Sequence, residues 1–131
     1  MALADRSGLP VAVGVHSASP HEVRLVEGLL DTCWTQAQPR RLIGDRAYDS
    51  DRLDEKLWRE RGIELIAPNR RNRTKSQDRR PLRRYRRRWK IERLFAWLQN
   101  SRRVVVRYEL HEQNFLGMIH LACVLILLKH L

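Results

Sequence analysis

Arg41-Leu42-Ile43-Gly44-Asp45-Arg46-Ala47-Tyr48-Asp49-Ser50 reads as a short strand that delivers a carboxylate at its carboxyl end, then a turn and the start of a helix. Open α/β sheets build ligand sites at that position, past a strand and ahead of a helix. Asp45 is therefore either a site residue or the cap of an Asx-turn. The helix that follows is expected to begin near Asp49 or Ser50, to bury Leu53, Leu57 and Trp58, and to stop at Gly62, because glycine accepts the left-handed backbone that ends helices. Residues 63–67 form a second strand, closed by Pro68. Upstream, residues 3–5 and 11–16 flank Arg6-Ser7-Gly8, and Val11, Val13 and Val15 alternate, which predicts a β-hairpin. Ser19, Pro20 and Glu22 make a capping-box pattern for a helix running to about Cys33, with Val23, Val26, Leu29 and Leu30 as its buried stripe. The order β-β-α-β-α-β is an α/β pattern in which the later, helix-connected strands run parallel.

A chain of 131 residues fits one domain with a modest core. Twelve of its 26 basic residues and one of its 15 acids, Asp78, lie in residues 70–90, a local balance of +11 that equals the net charge of the whole chain. A segment so charged needs anionic partners, of which phosphate backbones are the commonest; the alternative is a solvated basic linker. Its first part, residues 69–80, has no apolar period and reads as a loop. Residues 82–100 then read as a helix that buries Ile91, Leu94, Phe95 and Leu98. Tyr85, Arg88, Glu92 and Gln99, spaced three, four and seven apart, share one side of it. Arg88 and Glu92 are then either an i,i+4 ion pair or part of a site. Two carboxylates from separate elements, Asp45 and Glu92, beside a phosphate-binding surface suit Mg²⁺, which takes oxygen ligands and binds phosphates directly. Residues 104–108 read as a strand and 112–129 as a final helix, apolar on nearly every face, packing on the sheet or on a second subunit.

Other classes are excluded on composition. Two distant cysteines, Cys33 and Cys123, give neither a disulfide framework nor a CxxC zinc site, and point to a reducing, intracellular setting. The five histidines make no metal-spaced pair, against a zinc hydrolase. Residues 1–6 lack the apolar core of a signal peptide, and residues 115–128 fall short of the roughly 20 residues of a bilayer span. Trp89 and Trp97 either stack on bases or pack in the core.

Gly44-Asp45-Arg46-Ala47-Tyr48-Asp49-Ser50, Tyr85-x-x-Arg88-x-x-x-Glu92 and Arg93-Leu94-Phe95-Ala96-Trp97-Leu98 together closely resemble the DDE transposases of bacterial insertion sequences, in the group with a Tyr-two-Arg-three-Glu-six-Lys signature. Gly8-Leu9-Pro10 and Ser17-Ala18-Ser19-Pro20-His21-Glu22 resemble that family's stretch between its two aspartates. The resemblance implies an RNase H-like fold in which three carboxylates hold two divalent ions, Mg²⁺ or Mn²⁺, that cut and rejoin DNA. Asp45 matches the second carboxylate and Glu92 the third, with Tyr85 and Arg88 as signature partners; Gln99 stands where the family has lysine. The family's first aspartate lies on a strand upstream of Leu3, and Asp5, on the hairpin after that strand, is not its replacement. That strand is central in the family's sheet, so the expectation is a partial RNase H-like α/β fold over residues 1–131, N-terminally incomplete, with two strand edges left open.

The function so implied is that of the C-terminal catalytic part of an insertion-sequence transposase, completed by an upstream frame or else surviving as a remnant. Its partners would be double-stranded DNA at transposon ends and target, and an upstream-frame product or second transposase subunit, in the nucleoid-bearing cytoplasm and not at a membrane. Arg70, Arg71, Arg73, Lys75, Arg86 and Arg87 would hold DNA phosphates, which sets register and not sequence. No helix-turn-helix or zinc finger is visible to read bases. The rival from another class is a non-catalytic nucleic-acid-binding protein or transposition inhibitor that uses only the basic segment.

Overall fold

The computed structural model describes residues 1–17, 19–74 and 82–131; Lys75 and the remainder of the expected basic loop lie outside them. The chain forms two compact units, one made of Met1–Pro20, Glu27–Trp34 and Lys90–Leu131, the other of His21–Val26 and Thr35–Trp89. The α/β class expected of the sequence is observed. The strands pair as two separate two-stranded sheets.

In the first unit β1 (Ala2–Ala4) pairs antiparallel with β2 (Pro10–Val13), Ala2 opposite Val13 and Leu3 opposite Ala12, with a bulge after Leu3. The hairpin is shorter than its valine alternation predicts. Its turn is shaped by Asp5, whose carboxylate accepts the N–H groups of Ser7 and Leu9, both at 2.8 Å, and by Gly8 at φ 83°, a left-handed conformation that favours glycine. Lys90 donates to the Arg6 carbonyl and Arg93 to that of Ser7, so two cations from the following helix pin the turn. The core gathers Val13, Leu94, Leu98, Ala122, Cys123 and Ile126, with Ile91, Trp97, Val104, Leu116 and Ile119 packed against it. α6 (Glu112–Leu128) lies on β2 and on the single-turn α5 (Arg102–Val105). It buries Ala122, Cys123 and Ile126 and leaves Leu121, Val124, Leu125 and Leu128 about half exposed. No helix among the described residues is long and apolar enough to cross a membrane.

In the second unit β3 (Arg41–Ile43) pairs parallel with β4 (Glu64–Ile66) through the crossover helix α2 (Asp51–Arg61). Arg41 and Glu64 close the register with an ion pair of 2.7 Å. Ser50 caps α2 through the Leu53 N–H at 3.3 Å, and Gly62 at φ 65° ends it, its own N–H bonded to the Trp58 carbonyl and that of Ile63 to the Leu57 carbonyl. This is the closing pattern of a Schellman motif. Leu53 and Leu57 are buried as expected. Trp58 is not: one residue past Leu57 it is rotated about 100° off the 53/57 stripe and is 65% exposed.

Three other expectations are corrected. The Ser19 capping box does not form: His21 sits at ψ 132°, an extended value that ends any helix begun at Pro20, and only a 3₁₀ turn (Glu22–Arg24) and then α1 (Val26–Asp31) follow. The helix of residues 82–100 is interrupted, running as α3 (Leu82–Tyr85), a 3₁₀ turn (Arg86–Arg88) and α4 (Trp89–Leu98). Consecutive arginines repel along that stretch, and Phe95 is 43% exposed where the even 100° step would bury it. Residues 104–108 form no strand. Val104 and Val105 belong to α5, because no strand among the described residues is there to pair with them and Val104 instead packs on the core.

Candidate metal-ligand turn

The β3 ladder runs one residue beyond the strand, through the Gly44 N–H to the Ile66 carbonyl at 3.0 Å, and so fixes the backbone entering Asp45. Asp45 is the N-cap of a 3₁₀ turn (Arg46–Tyr48); its Oδ1 accepts the Ala47 N–H at 2.7 Å and its carbonyl the Tyr48 N–H at 3.1 Å. The two readings of Asp45 are therefore compatible. One oxygen shapes the turn, while Oδ2 accepts no hydrogen bond from the described residues. Tyr48 folds back over Gly44 so closely that a Cβ there would meet its Cδ2 at 2.8 Å and its Cγ at 2.9 Å. Burial, followed by the negative charges of Glu22 and Asp45, pushes the Tyr48 phenol up to about 12. Its hydroxyl stays protonated at any working pH.

Asp49 closes the turn from the other side. Its carboxylate is only 5% exposed and accepts the backbone N–H of Arg70 at 2.7 Å and Nη1 of Arg73. Arg70 also donates through Nε to the Arg46 carbonyl at 3.2 Å and through Nη2 to that of Ala47 at 2.8 Å. Arg73 reaches Asp51 with its other nitrogen, a hydrogen bond that, with the neighbouring acids, raises its already high pKa. Two of the arginines expected to hold phosphates thus commit guanidinium nitrogens to carbonyls and carboxylates of the protein itself. Sequence reasoning placed Asp49 only at the start of the next helix and within the motif, and missed its bonds to residues 70 and 73, since partners 21 and 24 residues away leave no periodic trace.

The remaining expected site residues fall as follows. Arg71, Arg86 and Arg87 are exposed, the last two on the 3₁₀ turn before α4. Tyr85 and Arg88 come together, with the guanidinium carbon 5.7 Å from the ring centroid. Glu92 is exposed on α4. It belongs to the first unit and Asp45 to the second. Gln99 lines a largely apolar hollow of the first unit with Phe95, Leu98 and Ile119. Trp97 packs on the core beneath the Arg93 guanidinium, 4.6 Å from its ring centroid, whereas Trp89 is 50% exposed. Among the described residues no three metal-ligating side chains gather. The donors themselves fit a hard divalent cation, being carboxylate oxygens, one of them with a free lone-pair face.

Comparison with known proteins adds an independent finding. The profile of the family described as "Transposase DDE domain" matches residues 1–127. A curated relative from Burkholderia cepacia, named "Putative transposase for insertion sequence element IS402", is 32% identical over 130 residues, which covers 93% of this chain and 58% of the relative. The chain thus spans rather less than two thirds of that protein's length. No solved structure matches.

Proposed function

The chain belongs to the transposase DDE-domain family, and from that premise we propose that it forms the C-terminal catalytic part of an insertion-sequence transposase, with Asp45 and Glu92 as ligands for Mg²⁺ or Mn²⁺ at DNA. The observation that carries this reading is Asp45: a carboxylate at the end of a parallel strand, fixed by its own turn through one oxygen, with the second oxygen open. The two separate sheets favour a partial RNase H-like arrangement that is completed by a further strand bearing the first carboxylate, as does the 58% coverage of the relative.

Bound divalent ions would supply an activated water or 3′-hydroxyl and offset charge on the leaving oxygen. Asp45 would hold the cation on a backbone that the 45–49 turn keeps fixed. Glu92 would supply a second anionic oxygen from α4. Arg71, Lys75, Arg86 and Arg87 would hold duplex phosphates in register, without selecting sequence.

In the transposase that contains this segment, Asp45→Ala and Glu92→Gln each abolish Mn²⁺-dependent strand cleavage while duplex binding persists. Near-normal cleavage by either variant removes that residue from the ligand set. If neither variant changes cleavage, or no cleavage exists, the chain is a DNA-binding protein or transposition inhibitor.

A further inference from the structure

We propose that Asp49 is the positioning residue of the Asp45 turn and that Arg70 and Arg73 brace it there, so that these two arginines serve the metal-ligand turn and not DNA. The proposal rests on the reading of Asp45 as a metal ligand. The Asp49 side chain is only 5% exposed, and a carboxylate so enclosed needs donors aimed at it to replace water. It receives two, from residues 70 and 73. The same arginines then grip the turn directly: Arg70 holds the carbonyls of Arg46 and Ala47, the two residues after Asp45, and Arg73 bridges Asp49 to Asp51 in the first turn of α2. Ala47 is also the residue whose N–H fixes the Asp45 carboxylate at 2.7 Å. The contacts form one chain, from Arg73 through Asp49 and Arg70 to Ala47 and Asp45. A guanidinium with its donors committed to carbonyls and carboxylates must break those bonds before it can meet a phosphate.

The two roles predict opposite behaviour. If Arg73 bound DNA, releasing it with Asp49→Asn would strengthen duplex binding, and Arg70→Gln with Arg73→Gln would flatten the slope of log K against log salt by about 0.9 per lost phosphate. As braces, they leave the slope unchanged in both variants, while Arg86→Gln with Arg87→Gln, the control, flattens it. The amide protons of Ala47 and Tyr48 exchange faster in Asp49→Asn and Arg73→Gln than in the parent chain. In the transposase carrying this segment, Asp49→Asn raises the Mn²⁺ concentration needed for half-maximal cleavage by about 10-fold to 100-fold, the scale of a misplacement of about 1 Å, and saturating Mn²⁺ restores most of the rate. Arg70→Gln gives a milder form of the same shift, since it keeps the backbone N–H on Asp49 and remains informative should Asp49→Asn fail to fold. A flattened salt slope in Arg70→Gln/Arg73→Gln, or unchanged exchange at Ala47 and Tyr48, overturns the brace. Asp45→Ala that cleaves normally overturns the metal reading instead and leaves the exchange and slope results standing.

Discussion

Gly44→Ala is the smallest change that loads the turn proposed to hold a metal through Asp45. The new methyl would lie 2.8 Å from Tyr48 Cδ2, 2.9 Å from Cγ and 3.0 Å from Cβ, whereas carbon atoms rest at about 3.5–4.0 Å. Relief requires a shift of about 0.5–1 Å, and the atoms in the way are the root of the ring and not a flexible tip. Gly44 is held by the Ile66 carbonyl, so the movement falls on residues 45–48. Overpacking of this kind costs about 1–3 kcal/mol, and, if Asp45 is a metal ligand as proposed, its displacement lowers Mn²⁺-dependent cleavage by the transposase carrying this segment on the order of 10²-fold. Urea unfolding followed by circular dichroism reads the first effect and strand cleavage at fixed Mn²⁺ the second. Combining Gly44→Ala with Tyr48→Ala removes Cγ and Cδ2 from the clash, so the double variant is less destabilised than the sum of the singles by about 1 kcal/mol or more. An unchanged unfolding midpoint for Gly44→Ala, together with an unchanged cleavage rate in the transposase carrying it, would refute the reasoning.

Leu94, fully buried in the first-unit core, should lose about 2–5 kcal/mol on replacement by alanine, read as a lowered urea midpoint. Tyr48 has a folded pKa of about 12, above its ordinary value of 10.0, so the folded state holds the proton longer; its contribution is complete below pH 10 and declines as pH rises toward 12. Tyr48→Phe should therefore show a shallower loss of stability across that interval. Burial pushes the Cys123 thiol up to about 11, and Cys33 is only half-buried. In the native protein a disulfide reagent at pH 8 should modify Cys33 first, with Cys123 reacting only on unfolding.

What could be read from the sequence was local chemistry. Ser50 and Gly62 bound α2 because a cap and a left-handed closure each depend on a few neighbouring residues. The parallel pairing of β3 and β4 follows from the helix between them, and the place of Asp45 from the end of its strand. Where tertiary context decides, pattern misled. The valines of residues 104–106 look strand-like, but a helical turn with Val104 on the core replaces a strand that has no partner. Ser19 and Glu22 carry the letters of a capping box, yet the extended backbone at His21 undoes it. The basic segment shows the deeper limit: charge alone does not show that the Arg70 guanidinium bonds the carbonyls of Arg46 and Ala47 and that of Arg73 bonds Asp49 and Asp51, while Arg86 and Arg87 stand exposed on a 3₁₀ turn.

The central claim, that Asp45 and Glu92 hold a divalent ion, is tested most directly by letting the ion mark its own surroundings. Fe²⁺ takes octahedral oxygen sites open to Mg²⁺ or Mn²⁺ and, with ascorbate and peroxide, cuts the backbone next to its ligands. In the DNA-bound transposase carrying this segment, cuts should map to residues 44–49 and to the neighbourhood of Glu92, should fade as Mg²⁺ is added, and should vanish in Asp45→Ala. Cuts confined to other segments, or the same pattern persisting in Asp45→Ala and Glu92→Gln, would contradict it.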